Sequence, residues 1–313
     1  MQIAVIGAGN MGCIYGANLA RIGADVTMID PWSAHVEAMQ RHGVTMVGQN
    51  GTFTAQVRST TNGTAVTDMD VALIVVNAYD TTAAAQTAQQ VLKPTGYALT
   101  LQNGVGNVEI LADLLGEQRV LAGLSFHSGD LQGPGHVTHT NFGPTYLGEL
   151  DCTRSERLLH LVDLLQQANL NPVIEPDITV TIWSKFVHNC GINAICAITE
   201  LRPGHIQEVP ELDAFQGAII EEALALVAAK GIVLPDPHPV QTIKAYCAEK
   251  FHRVSMAQHL LRGRQTEIDA LNGYVARESA KLGLSAPCNA ALTTLVKGRQ
   301  YAPSAAVDLA GEP

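Results

Sequence analysis

The chain opens MQIAVIGAGNMG, and Gly7, Gly9 and Gly12 have the G-x-G-x-x-G spacing that cradles a dinucleotide pyrophosphate. The glycines follow an apolar strand, IAVIG, and open a helix that carries Met11, Ile14, Tyr15, Leu19 and Ile22 on one face. The first glycine permits the tight turn and the second lets backbone approach phosphate. The third allows close packing of helix on strand, while the helix N-terminus faces the anion. With Asn10 and Met11 between the glycines, this loop is the candidate cofactor cradle.

A second strand, ADVTMID, ends in Asp30, where an acid hydrogen-bonds the ribose hydroxyls of NAD. The following DPWSAH offers no Arg or Lys for a 2′-phosphate. A charge-assisted hydrogen bond contributes about 1.5–3 kcal/mol, roughly ten- to a hundred-fold in preference, so NAD(H) is expected over NADP(H). The plainer reading is an Asp that only starts the turn before Pro31.

A second group lies far downstream. In IWSKFVHNCGINAICAI, Lys185, Asn189 and Asn193 recur at i, i+4 and i+8. On a helix they fall within about 80° of one another, a polar stripe along an otherwise apolar segment. One cation and two amides in that setting require partners, either a ligand or the backbone of neighbouring elements. Further on, VSMAQHLLRGRQTEIDALNGYV supplies Ser255 and Glu267, the latter just inside a helix expected from about Arg264. Taken singly, such a Ser reads as a cap and such a Glu as part of a solvated face.

These residues need a scaffold. Strands at 71–76 and 97–102 flank a helix around 80–93, so the first part reads as βαβ units of a parallel sheet. VLAGLSFHS, HVTHTNFG and TYLGEL read as an antiparallel extension of that sheet. A helix at 154–169 leads to a break near 171–177. Helices are then expected at 179–202, 209–230, 240–251, 264–282 and 287–298. The fold expected is α/β, a Rossmann-type domain (1–172) followed by an all-helical domain (173–313), with ligand in a cleft between them. The tail PSAAVDLAGEP is expected to fray.

Composition agrees with this plan. The 313 residues are 47% hydrophobic and 15% charged, enough for two folded domains. A net charge of −10 without a basic cluster argues against nucleic acid or anionic membrane as partner. No signal peptide is expected at the start, and no apolar run approaches the ~20 residues of a membrane span. The six cysteines form no C-x-x-C pair, which suits reduced thiols in a cytoplasm and small core residues. His136 and His139 sit close in GPGHVTHTN but lack a third ligand, so turn or surface histidines are expected and no metal site.

Together the segments resemble the ketopantoate reductase (2-dehydropantoate 2-reductase) family over almost the full chain. The matching pieces are GAGNMG, LQNGVGN at 101–107, the W-x-K of IWSKF, the spacing of Lys185, Asn189 and Asn193, SMxQ at 255–258, TEIDALNG at 266–273 and GLSAPCNAAL. The resemblance implies hydride transfer from a nicotinamide to the ketone of a 2-oxo acid. Lys185 would be the general acid and Glu267 would orient it or bind the substrate hydroxyl. Ser255 would hold the carboxylate, with Asn189 and Asn193 on substrate oxygens and Asn103 meeting nicotinamide ribose and substrate. NADPH-using members of the family carry an Arg near Asp30 and a Lys at Asn77, so both departures point to NAD(H). His259 stands where the family commonly has Asp. Three readings follow: a 2-dehydropantoate reductase, an NAD-dependent D-2-hydroxyacid dehydrogenase for another branched or aromatic acid, and a non-catalytic dinucleotide sensor. The sensor reading predicts loss of Lys185 or Glu267, and both are present. The family offers monomers and homodimers alike.

Overall fold

The computed structural model describes residues 1–48 and 51–301. The chain divides into two compact units, Met1–Thr181 and Ile182–Pro313. The tail expected to fray lies outside the described residues.

The first unit begins with β1 (Gln2–Ile6), α1 (Asn10–Arg21), β2 (Asp25–Ile29) and α2 (Ser33–His42). Three short strands follow: β3 (Val44–Gly48), β4 (Gly51–Ala55) and β5 (Arg58–Thr60). Then come β6 (Met69–Ile74), α3 (Thr81–Val91), β7 (Leu92–Thr100), α4 (Asn107–Leu115) and β8 (Val120–Ser125). The unit closes with β9 (Ser128–Gly133), β10 (His136–Asn141), β11 (Thr145–Glu149), α5 (Glu156–Gln167) and β12 (Pro172–Ile174).

Among the described residues an eight-stranded sheet runs in the order β12-β11-β8-β7-β6-β1-β2-β5. Its centre is parallel, β1 lying between β2 and β6. The continuous apolar runs of β1 and β6 are what a strand covered on both faces requires. Ile3, Val5, Leu73 and Leu99 are buried with Ile14, Leu19 and Met28 on one side of it. Each such side chain contributes about 1.5–3 kcal/mol by leaving water.

The segments after residue 118 divide differently from the expectation. VLAGLS, as β8, continues the parallel part of the main sheet beside β7, and of these segments only β11 extends it antiparallel. HVTHTN does not: as β10 it pairs parallel with β3 and antiparallel with β9 in a separate sheet, β4-β3-β10-β9. Nor are both histidines at the surface. His136 is exposed, whereas His139 is buried against His127. The core expectation holds for Cys13, Cys190, Cys196 and Cys247, while Cys152 is exposed and Cys288 half-buried.

The second unit is helical. α6 (Ile178–Thr199) enters it from the first, followed by α7 (Pro210–Ala229), α8 (Pro239–Ala248), α9 (Ser255–Leu261), α10 (Asn272–Lys281) and α11 (Pro287–Tyr301). Gly191 admits α7 closely, since a Cβ there would sit 2.6 Å from Ile220 Cγ1. The helix expected over 264–282 starts only at Asn272. Thr266 N–H donates instead to Gln300 Oε1 at 2.8 Å, and Leu271 leaves helical geometry at φ −116°, ψ −110°. A side chain of α11 thus replaces a helical partner, and Glu267 immediately precedes a short 3₁₀ turn, Ile268–Ala270.

Candidate active site

The glycine loop has the geometry its spacing predicts. Gly7 adopts φ +94°, and a Cβ on Gly12 would lie 1.9 Å from the Gly7 carbonyl oxygen, so neither position tolerates a side chain. Above Gly9 the space is open to 4 Å. No side chain caps α1, and its first N–H groups lack an intrahelical partner. Room and backbone donors for a pyrophosphate are therefore both present, and the loop fits a dinucleotide.

Three further loops surround this turn at the carboxyl edge of the sheet, each set by the strand it follows. Asp30 follows β2, Asn77 closely follows β6, and Asn103 follows β7. The Asp30 carboxylate receives two backbone donors, Ala8 N–H at 2.7 Å and Trp32 N–H at 2.9 Å. It accordingly starts the turn before α2 and also braces the glycine loop. Its remaining lone pairs are available to ribose hydroxyls. The Asn77 side chain donates to Tyr79 Oη at 2.8 Å.

Asn10 acts differently from a simple cofactor contact. Its Nδ2 donates to Gly129 O at 2.8 Å and its Oδ1 accepts from Leu131 N–H at 2.9 Å. The side chain thus behaves as an added strand residue on β9. Met11 is half-buried against the core on the same turn.

His35 was not singled out by the sequence, yet it is fully buried beneath the loop. Gly135 N–H donates to its Nδ1 at 3.0 Å, so Nε2 carries the proton and donates to Ala8 O at 2.8 Å. Trp32 stacks on the ring at 5.1 Å. Its only sequence signal was a histidine three residues beyond the turn.

In the second unit α6 holds Lys185, Asn189 and Asn193 on one stripe, all half-buried. Burial of the Lys185 ammonium lowers its pKa to about 8, and the nearby Glu267 carboxylate partly offsets that fall. Burial opposes the charged form while the carboxylate favours it. His188, three residues on, was also missed. Burial and then the Lys185 charge lower its pKa to about 4, leaving the ring neutral against Tyr246 at 4.5 Å between centroids. Ser255 is the exposed first residue of α9. One turn on, the pKa of His259 is lowered, by burial first and then by the charges of Arg264 and Arg262.

The stripe is held by buried amides. Asn272 Nδ2 donates to Cys190 O at 3.0 Å and to Asn289 Oδ1 at 2.9 Å, while Gln216 Nε2 donates to Gly191 O at 3.1 Å. These bonds join α6 to α10, α11 and α7 between Asn189 and Asn193. An unpaired buried amide costs about 1–3 kcal/mol, so they fix the stripe's position.

Comparison with known proteins gives the chain a family. A family profile described as ketopantoate reductase PanE/ApbA matches residues 3–151, and its C-terminal companion matches residues 177–300. A 2-dehydropantoate 2-reductase of Archaeoglobus fulgidus is 30% identical over 298 residues, 95% of this chain and 97% of the relative. The crystal structure of a PanE/ApbA family ketopantoate reductase from Ralstonia eutropha JMP134 superposes with a TM-score of 0.89 at 31% identity, covering 96% of this chain and 98% of that one. A D-mandelate dehydrogenase, in ternary structure with NADH and anilino(oxo)acetate, superposes with a TM-score of 0.87 at 26% identity over the same shares.

Proposed function

The chain belongs to the ketopantoate reductase family and is an oxidoreductase, and we propose that it reduces 2-dehydropantoate with NADH as preferred cofactor. The observation that carries this reading is the α6 stripe: Lys185, Asn189 and Asn193 in one row, with the Glu267 carboxylate near the ammonium.

The cofactor, when bound, supplies a hydride to the ketone carbon. The chain's own residues handle the rest. Lys185 Nζ donates a proton to the carbonyl oxygen as alkoxide charge develops, and its ammonium stabilises that charge before transfer. A lysine with pKa near 8 gives its proton more readily than one at 10.5 yet remains largely charged at pH 7. Glu267 orients the ammonium and sustains its charge. Asn189 and Asn193 hold substrate oxygens, Ser255 holds the carboxylate, and Asn103 meets the nicotinamide ribose and the substrate.

The NADH preference rests on Asp30, on the absence of a cation in DPWSAH, and on Asn77, whose amide is neutral. All six cysteines are free thiols, which supports a reducing, cytoplasmic setting. Among the described residues no helix is long and apolar enough to cross a membrane.

A second reading is favoured by the likeness to D-mandelate dehydrogenase and by His259, which stands where the family commonly has Asp. In it the chain oxidises another branched or aromatic D-2-hydroxy acid. The deciding experiment assays 2-dehydropantoate, 2-oxoisovalerate, phenylpyruvate and benzoylformate with NADH and NADPH. Highest kcat/KM for 2-dehydropantoate with NADH is expected. Preference for an aromatic acid selects the second reading, and higher efficiency with NADPH refutes the cofactor assignment.

A further inference from the structure

Three side chains outside the candidate site join the two loops that carry Asn77 and Asn103. Thr81 begins α3, Gln102 lies just past β7 and Asn107 begins α4, and all three are buried. Gln102 Nε2 donates to Val76 O at 3.0 Å and to Thr81 Oγ1 at 2.9 Å. Thr100 Oγ1 donates to Gln102 Oε1 at 3.0 Å, which fixes the orientation of that amide. The Thr81 hydroxyl has one proton and two acceptors within 2.8 Å, Ala78 O and Asn107 Oδ1. Asn107 Nδ2 in turn donates to Asn103 O at 2.9 Å.

The bonds have a consistent destination. The Val76 carbonyl just before Asn77 is taken by this group, and so is the carbonyl of Asn103 itself, while the Ala78 carbonyl shares the single Thr81 proton with Asn107 Oδ1. Gln102 precedes Asn103 directly in the chain. A buried amide or hydroxyl that loses its partner is costly, so the three side chains permit one relative placement of the two loops.

We infer that Thr81, Gln102 and Asn107 are positioning residues, a buried relay that holds Asn77 and Asn103 at one fixed separation for the cofactor. The inference rests on the proposed roles of those two asparagines. Small displacements of contact groups lower binding and turnover steeply, which is why such a relay acts on function as well as on folding.

The test compares Thr81→Val, which keeps shape but loses the hydroxyl, with Thr81→Ser, which restores it. Dissociation constants for NADH and NADPH are read by nucleotide fluorescence well below the melting temperature, beside kcat and KM. Thr81→Val should weaken NADH binding about ten-fold and lower kcat, with Thr81→Ser within about two-fold of wild type. Asn107→Ala, which releases the Asn103 carbonyl from the other side, should reproduce the loss and serves if Thr81→Val folds poorly. A merely structural role lowers the melting temperature and leaves dissociation constants and kcat unchanged, which overturns the inference alone. Wild-type protein that binds neither nucleotide overturns the proposed function and this inference with it.

Discussion

The main-chain N–H of Ala8 lies 2.7 Å from Oδ2 of Asp30, so the acid that ends β2 also holds the glycine loop that follows β1. In the proposed reading, cofactor selectivity and loop geometry therefore share one carboxylate. Asp30→Asn retains a side-chain oxygen for Ala8 but loses the charge. It should narrow the NADH preference about ten-fold with little change in melting temperature. Asp30→Arg should move preference toward NADPH, yet at a cost of about 1–2 kcal/mol in stability because Ala8 N–H loses its acceptor. Kinetics with both cofactors beside thermal melts check this. An Asp30→Arg protein as stable as wild type would contradict the bracing role.

Lys185 is the group that protonates substrate in the proposed reaction. Lys185→Ala should lower kcat by roughly two to four powers of ten, the range usual for a general acid. Cofactor binding should change little, since the glycine loop is untouched. Near-normal turnover removes Lys185 from the mechanism.

In the proposed reaction the same lysine gives a pH dependence with a definite sign. Reduction requires protonated Nζ, so log kcat/KM should be level below the pKa near 8 and fall with a slope of about −1 above it. Oxidation of the 2-hydroxy acid requires neutral Nζ and should rise through the same interval. Glu267 raises this pKa, so Glu267→Gln should move both limbs toward lower pH. A reduction profile level to pH 10 would rule out Lys185 as the titrating acid.

The glycine turn was legible because its constraints lie within six consecutive residues. The α6 stripe was legible because helical period alone aligns residues four apart. What escaped was fixed over distance. Whether 264–271 is helical depends on Gln300, whose side chain takes the Thr266 amide. HVTHTN reads as one more strand of a growing sheet, and only its register with β3 assigns it elsewhere. The supporting shell was equally hidden: His35, Asn272 and the relay around Thr81 act through partners as many as 100 positions away. Single polar residues of this kind carry no periodic signal.

The buried pair His127 and His139 predicts how the first unit responds to acid. His127 Nε2 lies 3.1 Å from Leu170 O, a pure acceptor, so that nitrogen carries the proton. Its Nδ1 is then bare and accepts from His139 Nε2–H at 2.9 Å. Both rings are neutral in this arrangement, and adding a proton to His127 Nδ1 sets two N–H groups against each other. Burial depresses both pKa values, that of His139 to about 4, with the His127 charge adding to the effect. Between pH 6.5 and 4 the unfolded chain therefore binds more protons than the native one. The stability contributed by these residues is complete above pH 6.5 and is lost as pH falls toward 4. For His139 the loss from pH 7 to 5 should be on the order of 1–2 kcal/mol. His139→Gln, whose amide can still donate to His127 Nδ1, should flatten that slope. Hydrogen exchange of the β8 and β10 amides at the two pH values reads this unit alone, and equal slopes in wild type and His139→Gln would exclude the pair as the acid-sensitive element.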